Sequence, residues 1–332
     1  MAAALGTTAA ALPELTVSTF LGAWQLDGVA LAAVVLLGGL YVAGVRRHRH
    51  AGGRWPIART TAFLVLGLGA IVVATMSGLA VYGRVLFWPA AVQNIVLDLI
   101  APLGLALGDP LALVTPDGPL HGVLTGRAVR LLTYPLVSSA AVLGSELTIY
   151  FTPYFETALR HDAVLQLMHL QLLLTGCLFV LPMLTHQELL PRWCTHPARA
   201  ALVFLDGLFD SLPGIVVMTS GTLVAGHWYA AQPRTWGPTP KQDQLIGGGL
   251  MLTLAELVGL PFLIAVFAQW WRTDRAKTAE LDARLDHELL PAATASGASA
   301  SAHEPAPAVP EMTRPWWETD SGEVGQRMRR RS

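Results

Sequence analysis

Apolar residues run for the width of a bilayer, roughly 20 residues, at about seven places in the chain. The stretches are approximately Leu26 to Val45, Thr61 to Val81, Ala91 to Val114, Leu131 to Phe151, Val164 to Leu184, Ala201 to Ala225, and Leu245 to Trp271. In hydrocarbon every backbone N–H and C=O has to be paired within the protein, so segments of this length are helices. The pattern predicts an all-α, polytopic membrane helix bundle with about seven transmembrane helices. Residues 1–25 contain no Lys or Arg and read as an extracytoplasmic N-terminal segment rather than a cleaved signal peptide. Residues 26–271 read as the seven-helix transmembrane domain and 272–332 as a cytoplasmic, mostly disordered tail. In the tail, Leu281, Leu285 and Leu289 keep helical spacing before an Ala-, Pro-, Ser- and Thr-rich run from Pro291 to Pro310. That composition buries too little surface to order itself.

Charge supplies the orientation, because Lys and Arg near helix ends stay on the cytoplasmic side. One alternating set of loops carries Arg46, Arg47, Arg49, Arg54, Arg59, Arg127, Arg130, Arg192, Arg199, Arg272, Arg275 and Lys277; the other carries only Arg84, Arg160, Arg234 and Lys241. The bias places the N-terminus outside and the C-terminus in the cytoplasm. Tryptophan prefers the headgroup level, and Trp24, Trp88, Trp228 and Trp236 fall at the predicted outer boundary, Trp55, Trp193, Trp270 and Trp271 at the inner one.

Composition agrees with lipid as the solvent: 53% of residues are hydrophobic and 14% are charged, against roughly a quarter charged in soluble domains. An ordinary soluble enzyme is ruled out. A net charge of -1 argues against nucleic acid as a partner, which needs a concentrated basic face. The two cysteines, Cys177 and Cys194, form neither a CxxC pair nor a disulfide framework.

Function is sought among residues that lipid should reject. An acid at a helix centre costs on the order of 2.5–3.5 kcal/mol, and this chain places Asp98, Glu146, Asp206, Asp210 and Glu256 in its apolar stretches. Asp206 and Asp210 share one helix face, as do Asn94 and Asp98. Glu146 lies near the outer end of its helix and Asp206 near the inner end of its own. Protonated, hydrogen-bonded carboxyls between helices are the structural alternative to a functional role. A second set lies toward the outer side: His161, His169 and His227, with Met168 and Met218 in nearby turns and Gln93, Gln171 and Gln244 at a similar level. Imidazole with thioether or carboxylate suits copper, and thioether suits Cu(I) in particular. His48, His50, His186 and His196 belong to basic loops. Gly247-Gly248-Gly249 lacks the preceding strand and following Lys of a phosphate loop and reads as a helix-packing surface.

Enzymatic turnover has no sequence basis: there is no nucleophile–base pairing, phosphate loop or HExxH helix. A retinal-binding receptor would need a lysine inside the last helix, and the only lysines, Lys241 and Lys277, lie in loops. A proton or cation transporter or channel using Asp98, Asp206, Asp210 and Glu256 is the alternative from another class. Acids and His169 gathered in one outward-opening cavity would favour metal handling, and a polar file across the bilayer would favour transport.

From about Leu26 to Asp286 the chain resembles the CtaG-type cytochrome c oxidase assembly factors of bacteria, and more closely their actinobacterial branch. The resemblance rests on Trp55-Pro56 with Arg59, Ala101-Pro102-Leu103 with Gly108-Asp109-Pro110-Leu111, and Gly176-Cys177-Leu178-Phe179 with Pro182. It rests also on His196-Pro197-Ala198-Arg199, on Asp243-Gln244 with Gly247-Gly248-Gly249 and Glu256, and on Gln269-Trp270 with Arg272-Thr273-Asp274. It implies a multi-pass protein of the bacterial plasma membrane that matures haem–copper oxidases, with cytochrome c oxidase subunits as partners and copper as the metal handled. The histidine set usual in the family is degenerate: Ala90, Asn94, Gln171 and Asp210 stand at usual histidine positions and His169 remains. The resemblance therefore implies either a reduced copper site of His169, Met168 and Asp210, with His161 and His227 as further candidates, or a divergent member that keeps the scaffold alone.

Overall fold

The structure is a computed structural model describing residues 12–114, 122, 126–184 and 196–298. Among the described residues every regular element is helical: α1 Val17–Gly22, α2 Gly28–His50, α3 Ile57–Tyr82, α4 Phe87–Leu107, α5 Arg127–Leu132, α6 Pro135–Phe151, α7 Tyr154–Arg160, α8 Asp162–Leu184, α9 His196–Thr219, α10 Gly226–Ala230 and α11 Pro240–Ala298. Two compact units divide after Arg272, Met1–Arg272 and Thr273–Ser332. Both apolar cores lie in the first. Arg192, Trp193, Cys194, His186 and the sequence from 299 onward, most of the predicted disordered tail, lie outside the described residues.

Six helices, α2, α3, α4, α8, α9 and α11, are long and apolar enough to cross a membrane. The expected seventh is shorter than its apolar stretch. Pro135 occupies the first turn of α6, Tyr134 before it is extended (φ -63°, ψ 125°), and Leu131 and Leu132 belong to the separate helix α5. A residue preceding proline is pushed out of the helical region, which leaves 17 residues in α6, a helix of about 25 Å against a hydrocarbon thickness of about 30 Å.

Helix α4 is the axis of the bundle: 78% of its apolar window is buried, against 22% for α2 and for α11. Close approach is built from glycine. A Cβ on Gly104 of α4 would collide with the Gly67 nitrogen on α3, and one on Gly176 of α8 with the Asp98 carbonyl oxygen. In the Gly247-Gly248-Gly249 run, Gly247 packs on Phe87 and Gly248 on Gly214 and Met218, while Gly249 faces open space. One apolar core gathers Ala74, Ala91, Leu97, Ile149, Met168, Leu172 and Met251, and the other gathers Val142, Phe179, Val203, Phe262 and Val266.

Three irregularities interrupt the spanning helices, the first a π-helical run, Ala62–Leu68, in α3. The turn Val96–Ile100 of α4 is π-helical and carries Asp98, a widened geometry frequent at functional positions. Helix α3 breaks at Ser77, which is extended (φ -86°, ψ -172°). The Ser77 hydroxyl accepts from Leu79 N–H at 3.2 Å, and the freed Met76 carbonyl accepts from Gln25 N–H at 2.8 Å. Broken backbone at membrane depth is tolerated where it is buried in protein or lines a cavity, and Thr75 and Ala80 on either side of the break do line one.

The residues Trp55, Arg59 and Gly108-Asp109 assemble into one joint. Arg59 pairs with Asp109 at 3.0 Å and lies 5.2 Å from the centre of the Trp55 ring. Trp55 Nε1 donates to the Tyr41 hydroxyl at 3.2 Å, which donates to Gly108 O at 2.9 Å.

Candidate functional site

A cavity of about 40 Å³, measured as space open to the centres of water-sized molecules, lies between the α1–α2 turn, α3, α4, α7 and α8. A single water needs roughly 10–15 Å³ on that measure, so the space takes two or three. Its polar lining is Gln25, Asp27, Thr75, Arg84, Gln93, Asn94, Gln166 and His169, with Met168, Ala90 and Phe155 among the rest.

His169, on the second turn of α8, is buried, and neither Nδ1 nor Nε2 has a hydrogen-bond partner. A buried imidazole normally satisfies at least one ring nitrogen, and the two unpartnered nitrogens make His169 the candidate donor of this cavity. Met168 beside it is fully buried. The charged groups that act on His169 are Asp27 and Arg84. Asp27 is held by its own helix: Oδ1 caps α2 by accepting Val29 and Ala30 N–H, both at 3.0 Å, and Oδ2 accepts from Gln166 on α8. Arg84 pairs with the exposed Asp162.

Ala90 and Asn94 line this same cavity with His169. Asn94 Nδ2 donates to the Tyr150 hydroxyl at 3.1 Å, while its Oδ1 is unpartnered. Asn94 therefore joins the cavity to Tyr150 and a second polar region. There Tyr150 senses the charges of Glu146 and Asp98, and Glu146 those of Asp98, Asp206 and Asp210. Thr175 donates to Asp98 at 3.4 Å, Ser139 to Asp206, and Glu146 Oε2 has no partner. Among the described residues none of these four carboxyls is in an ion pair.

The remaining candidates lie elsewhere. Asp210 belongs with the carboxyls and not with the lining of the His169 cavity. His161, before α8, and His227, in α10, are exposed. Gln171 is satisfied by Tyr154 (3.1 Å) and Ser145 (2.9 Å), and Gln244 by Val217 O, Thr222 O and Val224 N–H. Glu256 does not face inward: it is exposed on the outside of the bundle and accepts from Ser211 at 3.0 Å. Among the described residues no group of three or more His, Cys, Asp or Glu gathers as a metal site. Asp27, Arg84, Thr75 and Gln166 are lining residues that sequence reasoning did not single out. Their only local signal is the capping position of Asp27 before an apolar run.

A family model described as cytochrome c oxidase caa3 assembly factor (Caa3_CtaG) matches residues 39–273. Curated relatives are uncharacterised mycobacterial proteins: one of Mycobacterium bovis and one of Mycobacterium tuberculosis, each 30% identical over 286 residues, and one of Mycobacterium leprae, 29% identical over 280. The first two alignments cover 82% of this chain and 43% of the relative, the third 80% and 42%. The chain thus spans less than half the length of the curated relatives it matches. No solved structure matches it. The family match runs unbroken from within α2 to Thr273, through α3, α4, α7 and α8 of the cavity, and the chain belongs to the cytochrome c oxidase caa3 assembly factor family.

Proposed function

We propose that the chain is a plasma-membrane assembly factor for a haem–copper oxidase that presents Cu(I) to its client from the His169 cavity at the outer face, with its N-terminus outside and its C-terminus in the cytoplasm. Copper is cargo in this reading, and no bond-making turnover is assigned to the chain. The observation that carries it is the buried His169 ring with two unpartnered nitrogens, in a cavity that Met168 also lines. Imidazole and thioether are borderline and soft donors that suit Cu(I). Two donors without a third make a labile site, which is what transfer by ligand exchange requires. The amides of Gln93, Asn94 and Gln166 keep the cavity polar but are poor Cu(I) ligands. The chain would accordingly hold copper weakly.

The test is Cu(I) titration of the purified protein under reducing conditions, beside measurement of oxidase copper content in cells carrying each variant. His169→Ala and Met168→Ala should each abolish stoichiometric binding and lower client copper. Equal copper in wild type and His169→Ala would remove the carrier reading and leave an assembly scaffold.

One observation favours a second reading, cation or proton movement: Asn94 of the cavity lining is hydrogen-bonded to Tyr150, which lies near carboxyls that have no basic partner among the described residues. Proteoliposome flux would then fall in Asp206→Asn and Asp210→Asn. Unchanged flux would dismiss it.

A further inference from the structure

At the opposite end of α2 from Asp27, an open cleft of about 280 Å³ lies between the last turns of α2 and the first turn of α3. Its walls are Val42, Val45 and Ile57, with Thr60, and its rim carries Arg46 and Arg49. The two arginines are three residues apart and so share one helix face. They differ from their neighbours. Arg47 turns away to donate to Leu113 O at 2.6 Å, and Arg59 is committed to Asp109. Arg46 is exposed and has no hydrogen-bond or ion-pair partner among the described residues, and Arg49 spends one Nη2 on Trp55 O at 3.3 Å. No carboxylate lines the cleft.

We infer that this cleft binds one anionic phospholipid, its phosphodiester against Arg46 and Arg49 and the start of an acyl chain along Val42, Val45 and Ile57. Three features select that occupant. Helix α2 is only 22% buried over its apolar window, so the medium at the cleft is lipid. The rim lies at the end of a spanning helix, where headgroups sit, and basic pockets between transmembrane helices are recurrent sites for acidic headgroups. Finally, floor and rim together match a molecule with an apolar body and a negative end, which neither a soluble anion nor a neutral lipid offers. The site is independent of the His169 cavity: no lining residue is shared.

The experiment places the full chain in nanodiscs of phosphatidylcholine, with and without phosphatidylglycerol, and reads retained lipid by native mass spectrometry and the unfolding temperature. Wild type should retain one phosphatidylglycerol selectively and unfold at higher temperature in its presence. A cation near the membrane surface contributes about 1 kcal/mol, so Arg46→Gln with Arg49→Gln should lower the preference for the anionic lipid roughly thirtyfold. Arg54→Gln, which lies outside the cleft, should leave it unchanged. Undiminished preference in the double variant, or equal retention of phosphatidylcholine, would overturn the inference. Inorganic phosphate alone should neither raise the unfolding temperature nor compete the lipid away; if it does either, the site is an anion site and the lipid assignment fails.

Discussion

Asp243 of α11 caps α4 from 156 residues away: its carboxylate accepts the Phe87 N–H at 2.8 Å and the Trp88 N–H at 3.0 Å. Leu86, at the capping position, offers no side-chain acceptor of its own. Asp243 is fully buried, with Arg234 3.9 Å away. The carboxylate also complements the positive end of the most buried helix in the bundle. Losing a buried charged cap costs about 1.5–3 kcal/mol. Asp243→Ala should lower stability in denaturant titration by that amount, and Asp243→Asn by less, since one amide oxygen still accepts. Because Ala90, Gln93 and Asn94 follow within two turns, Asp243→Ala should also weaken Cu(I) binding without touching a ligand.

Ala90 and Asn94 share a cavity with His169, so placing imidazoles there should build a three-nitrogen site. Ala90→His combined with Asn94→His is expected to tighten Cu(I) by about tenfold or more, equivalent to about 1.4 kcal/mol, in a competition titration under reducing conditions. The same double change in a His169→Ala background should give a much smaller gain. Equal gains in both backgrounds would mean that the three positions do not act as one site.

The Asn94–Tyr150 hydrogen bond is the join between the cavity and the carboxyls. Tyr150→Phe removes the hydroxyl that the buried Asn94 amide donates to, and a buried donor left unsatisfied costs about 1–3 kcal/mol. The expected result is a loss of that size in unfolding experiments. If the cation-path reading holds, a matching fall in flux accompanies it.

Tyr229, in α10, donates to Gly83 O at 2.9 Å and so fixes the turn before α4. Burial pushes its phenol well above the usual 10.0, and the Asp243 charge adds to this. The folded value exceeds the unfolded one, so this stabilisation is complete below about pH 10 and is lost as pH rises through the folded value. Ultraviolet titration should therefore find Tyr229 un-ionised well above pH 10, and Tyr229→Phe should lower the late-titrating amplitude by one tyrosine. In the same variant the loss of stability at alkaline pH should become shallower.

The helices were legible because hydrocarbon leaves the backbone no alternative to internal pairing. Their interruptions were less so. The run Thr61 to Val81 reads as one helix since Ser77 and Gly78 are apolar enough by composition, yet Ser77 is extended and lets Gln25 reach Met76 O. His169 was legible as a polar residue out of place, and Asp98 likewise. Asp27 and Gln166 were not, because their contact joins residues 139 apart and each is unremarkable locally. Glu256 marks a further limit. Its depth follows from residue count, but the stretch of α11 around it, Leu250 to Val266, is otherwise apolar apart from Thr253, so no periodicity reveals that this carboxyl is exposed.

Asp109 sits in the left-handed region (φ 48°) just past α4 and holds Arg59 at 3.0 Å. Two separate properties are used there. Asp tolerates the left-handed conformation better than alanine, for which it costs about 1–2 kcal/mol, and its charge holds the guanidinium against Trp55. Asp109→Asn keeps the first property and loses the second; Asp109→Ala loses both. Unfolding midpoints should fall in the order wild type, Asn, Ala, with the Asn-to-Ala step no larger than that conformational cost. Arg59→Gln made in the Asp109→Asn protein should add little beyond the lost ring contact, since the pair is already broken. A full additive loss in that double variant would show that Arg59 stabilises the α2–α3 turn through Trp55 alone, and that the ion pair contributes nothing.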